Sequence, residues 1–253
     1  MEILKGISKF FGGAFFGIGL TLLLFGIFAG FVIDDAEVLR GRGEEIIVGM
    51  FSSPEFLESL MQRGENSGKT LDDVKALCQS NPEIEECKIL KQLEEDPKAF
   101  VESNPDFKKG IDDLNKQIDG LVDGLNNFKP ASKAILVGSS ALIVLGLVFI
   151  FLGYMDWKKA SYKVSVKAAI LTGLAAIYYK LIQKLLIGDL LVNKINLGGF
   201  PLAPIKDFLA GWVNPVFNKM FILCLVLTVV FVILGIVFYY LKEKDLKKGN
   251  KGK

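Results

Sequence analysis

Histidine is absent from the 253 residues. The side chain whose ordinary pKa lies nearest neutrality is therefore missing, and histidine triads and H-E-x-x-H metal sites are excluded with it. Cysteine is scarce: Cys78, Cys87 and Cys224 cannot complete a soft metal site without histidine or a fourth thiolate. No G-x-S-x-G nucleophile elbow occurs. Gly64-Glu65-Asn66-Ser67-Gly68-Lys69-Thr70 has three residues between its glycines where a phosphate loop needs four, so it reads as a turn. No enzyme activity and no cofactor is expected.

Charge is missing from three long stretches. Residues 10–33, 134–155 and 220–241 contain no charged side chain. Each exceeds the ~20 residues that cross ~30 Å of hydrocarbon as a helix. Residues 168–187 form a weaker fourth candidate, with Lys180, Gln183 and Lys184 in the distal half. A lysine at a span centre costs roughly 2.5–3.5 kcal/mol, and less near the end, where its stem can reach the headgroups. No span core contains Asp or Glu, which disfavours carboxylate proton relays.

The acids lie elsewhere. Of 28, 22 fall between Asp34 and Asp123, and residues 34–133 carry a net charge of −9. Lysines collect in Met1–Lys9, in 156–167 and in 242–253, all on one side of a four-span chain. The positive-inside rule makes that side cytoplasmic. Tyr154, Trp157, Tyr239 and Tyr240 suit an aromatic belt there. Cleavage of the first span as a signal peptide is the rival, but its run is long for an h-region and lacks a clear A-x-A site.

The expected fold is an all-α membrane protein of the cell membrane with both termini cytoplasmic. A cytoplasmic N-terminus (1–9) leads into transmembrane helix 1 (10–33). An acidic helical extracytoplasmic domain (34–133) follows, then transmembrane helix 2 (134–155) and a basic cytoplasmic loop (156–167). Transmembrane helix 3 (168–187), an outer loop (188–218), transmembrane helix 4 (219–241) and a basic tail (242–253) complete the chain.

Within 34–133, helix starts are signalled by Ser53-Pro54-Glu55, Asn81-Pro82-Glu83, Asp96-Pro97-Lys98, Asn104-Pro105-Asp106 and Thr70-Leu71-Asp72-Asp73. Phe107, Ile111, Leu114, Ile118, Leu121, Leu125 and Phe128 trace an a/d seam, the mark of a coiled-coil stalk. Cys78 and Cys87 flank the Asn81-Pro82 turn and are expected to form a disulfide stapling a helical hairpin. In the outer loop, Ile205, Phe208, Leu209, Trp212, Val213 and Val216 share one helical face, suggesting a helix at the membrane surface or a re-entrant hairpin after Gly198-Gly199-Phe200-Pro201.

Lys180, Gln183 and Lys184 are the candidate intramembrane polar site. They read as anchors to lipid headgroups, as a patch paired with Asp34, Asp35 or Asp189, or as a site for an anionic ligand. Gly13-x-x-x-Gly17 and Gly26-x-x-x-Gly30 permit close packing within the chain or a homo-oligomer through the first span; the stalk could also self-associate. The layout resembles claudin-like four-span proteins in its inside termini, large first outer loop and close cysteine pair. The tryptophan-containing signature of that loop is missing and the loop reads helical, so no family follows. The expected partners are the lipid bilayer and a protein engaging the outer domain; no nucleic acid is expected. The function read from this is a non-enzymatic membrane protein for partner binding or envelope organisation. The alternative is an oligomeric transporter or channel component using the lysine patch.

Overall fold

The computed structural model describes residues 2–53, 56–57, 71–186 and 203–250. The regular elements among them are helical: α1 (Glu2–Ala36), a 3-10 turn (Glu37–Leu39), α2 (Gly43–Phe51), α3 (Leu71–Ser80), α4 (Glu85–Glu95), α5 (Pro97–Ser103), α6 (Pro105–Asn126), α7 (Lys129–Tyr154), α8 (Trp157–Lys184) and α9 (Ala203–Asn250). Among the described residues, four segments are long and apolar enough to cross a membrane: Glu2–Leu39, Pro105–Tyr154, Trp157–Lys184 and Phe208–Lys244. The chain forms two compact units. The first comprises the residues to Asp34, Asn126–Ile182 and those from Pro215 onward; the second comprises Asp35–Leu125 and Gln183–Asn214.

In the first unit, small residues set how closely the helices approach. Gly12, Gly19 and Gly26 recur every seventh residue of α1, and Ser132, Ser139, Gly146 and Gly153 do the same on α7. A Cβ at Gly12 would lie 2.7 Å from the Ile150 nitrogen, one at Gly19 2.9 Å from the Ile143 nitrogen, and one at Gly146 2.5 Å from the Phe16 nitrogen. Partner numbers fall on α7 as they rise on α1, so the two helices run antiparallel. Ser132 Oγ donates to the Gly26 carbonyl at 3.0 Å, and Ser8 Oγ donates to the Phe149 carbonyl at 2.7 Å.

The other face of α1 meets α8 and α9. Phe16 and Leu20 pack with Ile150, Ala160 and Ala168. Leu24 packs with Ala176, Met220 and Cys224. Thr228 Oγ1 donates to Thr172 Oγ1 at 2.8 Å, joining α8 to α9. Gly13 and Gly17 face Lys167, whose Nζ donates to the Gly13 carbonyl. Gly26 faces Leu136 and Ile135 of α7. These glycine faces are thus occupied by the same chain.

The second unit has two apolar cores. Ala36, Leu39, Ile46, Ile118 and Val122 form one; Phe51, Phe56, Leu93, Val101 and Ile111 form the other. The Phe51 ring centre lies 4.8 Å from that of Phe107 and 5.2 Å from that of Phe56, in edge-to-face arrangement. Gly43 N–H donates to Asn115 Oδ1 at 2.8 Å, and a Cβ on Gly43 would stand 2.6 Å from that oxygen. A side chain at position 43 would displace the Asn115 amide from this hydrogen bond.

Two of the proline starts appear as expected. Asp96 accepts a hydrogen bond from Ala99 N at 2.9 Å ahead of α5, and Asn104 Oδ1 accepts one from Asp106 N at 3.0 Å ahead of α6. Asn81-Pro82-Glu83 instead makes a turn, and α4 begins at Glu85. α3 begins at Leu71 with Asp72 and Asp73 in its first turn. Pro54, Glu55, Thr70, the Gly64–Lys69 turn and Gly198–Pro201 lie outside the described residues.

The stalk seam is shifted. Ile111, Ile118 and Val122 are buried on α6, while Leu121 is 54% and Phe128 64% exposed. A straight α-helix drifts about 20° per heptad against a strict seven-residue repeat, so Val122 replaces Leu121 where the face turns inward. The outer-loop segment also differs from expectation. α9 runs unbroken through Pro215 from Ala203 to Asn250, so residues 203–218 are not a separate helix. Phe208 and Trp212 pack onto the core of Ala36, Leu39, Ile46, Ile118 and Val122. Periodicity identified the apolar face, but it carries no information on whether protein or lipid covers it. The side chain of Ile205 lies outside the described residues.

Glycine substitutions separate the seam from the open positions. Gly146→Leu is expected to destabilise the protein by at least about 1–3 kcal/mol, because backbone of α1 fills the space. Gly110, Gly120 and Gly124 have nothing within 4 Å of a built Cβ. Alanine at each should stabilise α6 by about 0.5–1 kcal/mol. Unfolding in detergent micelles checks both; equal effects of the two classes would refute the seam.

Candidate functional site

The candidate polar residues lie near the end of α8. Lys180 is exposed, and its Nζ donates to Asn218 Oδ1 at 3.2 Å. The same ammonium lies 5.4 Å from the Phe221 ring centre. Lys219 sits 5.8 Å from the Phe31 ring centre, and the Phe28 ring centre lies 5.3 Å from those of both Tyr179 and Phe217, edge-to-face with the latter. Aromatic rings and lysine stems of this kind suit the headgroup level of a bilayer.

Within the second unit, Gln183 is buried, and its Nε2 donates to Asn214 Oδ1 at 2.8 Å. Lys184 is exposed. Of the acids named above as partners, one has a described pairing and one lies outside the described residues. Asp34 pairs with Lys129 at 3.1 Å, and Asp189 lies outside the described residues. Asn214 and Asn218 were missed as partners. Their signal was present, since two asparagines four residues apart in an apolar helix share one face. Amide side chains neither gain nor lose a proton near neutral pH, so these contacts serve to position helices and hold a lysine.

Cys78 and Cys87 are joined, with Cα atoms 5.2 Å apart, linking α3 to α4. Lys75 and Glu94 clasp the same two helices at 2.6 Å. Lys98 reaches Glu44 at 3.1 Å, tying α5 to α2. Arg40 pairs with Glu37 at 2.7 Å, Asp123 at 2.5 Å and Asp119 at 3.2 Å, fixing the turn before α2 to α6. These contacts raise the arginine above its ordinary pKa, through Glu37 first and Asp123 next. Hydrogen bonding to Glu94 raises Lys75, and hydrogen bonding to Glu44 raises Lys98. A cation raised on folding contributes fully below its unfolded value and loses that contribution as pH climbs through the raised one. On the cation side, these links are therefore intact at neutral pH and weaken in strongly alkaline solution. All are solvent-exposed and modest individually.

Among the described residues, no group of three or more Cys, Asp or Glu side chains is placed to hold a metal ion. Cys224 is buried beside Leu24, Ala176 and Met220. No protein-family model matches the chain, and neither curated proteins nor solved structures give a match.

The staple generates a direct test. Cys78→Ser with Cys87→Ser should lower the stability of the acidic unit by about 2–3 kcal/mol. The helical signal of the unreduced parent should melt later than that of the double variant by calorimetry or circular dichroism. Coincident melting in oxidised and variant protein would show the bond to be energetically idle.

Proposed function

We propose that this is an integral membrane protein without catalytic activity of its own, whose helical acidic domain lies outside the cytoplasm and binds a protein partner or helps organise the cell envelope. The observation that carries the reading is the build of the second unit, in which Asp35–Leu125 brings two apolar cores, a disulfide and cross-helix ion pairs together and Phe208 and Trp212 pack onto one of those cores. That build gives a rigid acidic surface suited to recognition. A disulfide suits an oxidising compartment. The lysine-rich segments at the termini and between α7 and α8 support cytoplasmic termini in the cell membrane.

The glycine faces of α1 meet neighbouring helices of the same chain, which favours internal packing over pairing of that span with a second copy. Lys180 and Lys184 are exposed, which favours their reading as headgroup anchors over a transport pathway.

Photo-crosslinkers placed at exposed Lys91 and Lys116 in native membranes are expected to capture a protein partner. In intact cells, a membrane-impermeant maleimide should label Cys78 and Cys87 only after reduction. Labelling only after the membrane is opened would place the domain on the wrong side. An unchanged interaction profile after loss of 34–133 would remove the recognition role.

A further inference from the structure

A groove on the first unit combines three lysines with an apolar wall. Lys9 of α1 and Lys163 and Lys167 of α8 line it, together with Tyr154, Ile150 and Ile170. Its volume is about 450 Å³. A second groove of about 440 Å³ adjoins it, sharing Gly13, Lys167 and Leu171 and continuing along Gly17, Ile18 and Leu22. The pair thus forms one track, cationic at one end and apolar along the rest.

The charge is arranged in depth. Lys167 lies ten residues into α8 from Trp157, about 15 Å along the axis. Lys163 is about one turn nearer the Trp157 end, and Lys9 precedes Gly13 by about one turn on α1. Lys9 lies 4.8 Å from the Tyr154 ring centre and Lys163 5.9 Å from that of Tyr162. Lys167 spends one of its three N–H donors on the Gly13 carbonyl. Among the described residues, none of the three lysines forms a salt bridge with a carboxylate. Glycine keeps the track open: Cβ atoms at Gly13 and Gly17 would stand 3.3 and 3.4 Å from the end of the Lys167 side chain.

We propose that this track binds one anionic phospholipid of the adjoining leaflet. Its phosphate sits among Lys9, Lys163 and Lys167, and an acyl chain lies along Gly13, Gly17, Ile18 and Leu22. The charge complementarity is specific: three lysines line one groove and, among the described residues, form no salt bridge with an acid, and the adjoining apolar track suits a hydrocarbon chain. A soluble anion would satisfy the lysines and leave the apolar track uncovered. A lipid satisfies both. The inference rests on the helices spanning a bilayer and is independent of any partner of the acidic domain.

The test uses the full-length protein in phosphatidylcholine liposomes with trace spin-labelled phosphatidylglycerol or phosphatidylcholine. The motionally restricted fraction read by electron paramagnetic resonance should favour phosphatidylglycerol by about threefold or more. Lys9→Gln, Lys163→Gln and Lys167→Gln together should remove that preference. Lys158→Gln, Lys242→Gln and Lys244→Gln remove the same charge from the same end of the molecule and should preserve it. Gly17→Leu should reduce it with every lysine intact; if that variant does not fold, the two lysine sets decide. Equal restriction of both lipids by the parent overturns the proposal. So does an equal loss in both lysine sets, which would mean general attraction to the lysine-rich end. Displacement of the labelled lipid by millimolar inorganic phosphate at constant ionic strength would show a free-anion site and also overturn it.

Discussion

The close approach of α1 and α7 is the constraint on which the first unit depends. In hydrocarbon, two apolar helices gain little from hiding from their solvent, because lipid tails are as apolar as leucine. What remains is van der Waals contact at short range and hydrogen bonding between helices. Both require small residues. Gly12, Gly19 and Gly26 against Gly146 and the serines of α7 bring backbone to backbone, close enough for Ser132 Oγ to reach the Gly26 carbonyl. With one face of α1 committed to α7, its remaining surface receives α8 and α9. Phe16 and Leu20 then contribute to one cluster, and Leu24 to the next.

The second unit is held by different physics. Its helices α3, α4 and α5 are of eleven residues or fewer, lengths at which an isolated helix is marginal in water. They persist because Leu93 of α4 and Val101 of α5 are buried in a shared core and because covalent, capping and ionic links hold the helices. Asp96 and Asn104 cap the starts of α5 and α6, the disulfide joins α3 to α4, and Lys98 holds α5 to α2. Phe51, Phe100 and Phe107 give the short helices large side chains to share, their ring centres 4.8–6.2 Å apart. A small core with rigid supplements is a common solution where burial alone yields limited stability.

The sequence made the spans legible because a bilayer imposes a crude requirement: about twenty residues without charge. It made the cysteine pair and the Asp96 and Asn104 starts legible because capping is local chemistry. It was less informative where a face had to be matched to a neighbour. The a/d pattern of α6 named Leu121, but helical drift buries Val122. The four-residue spacing of Gly13 and Gly17 drew attention, yet the closest backbone contacts use glycines seven apart, and that pair makes room for a lysine. Asn218 on α9 supplies an acceptor to Lys180, a partner that the spacing along α8 alone does not name. In each case the missing information was which element lies opposite, a tertiary fact that local periodicity cannot hold.

α8 is the least apolar of the four described helices that are long and apolar enough to cross a membrane, and it still packs among the others of the first unit. Taken alone, it carries Lys167, Thr172 and Lys180, each of which weakens insertion into hydrocarbon. In the folded unit each has an acceptor. Lys167 donates to Gly13 of α1, Thr172 accepts from Thr228 of α9 and returns its own hydrogen to the Ala168 carbonyl, and Lys180 donates to Asn218 of α9. The polarity of α8 is therefore a property of its neighbours as much as of its own sequence. A hydropathy window sums residues along one helix and assigns each the cost of facing lipid. Here the polar groups face other helices or snorkel towards an end, so the relevant cost is lower than the sum. The lysine patch and the weak hydropathy that made this span doubtful have one origin: α8 is the helix through which α1 and α9 are joined by polar contacts.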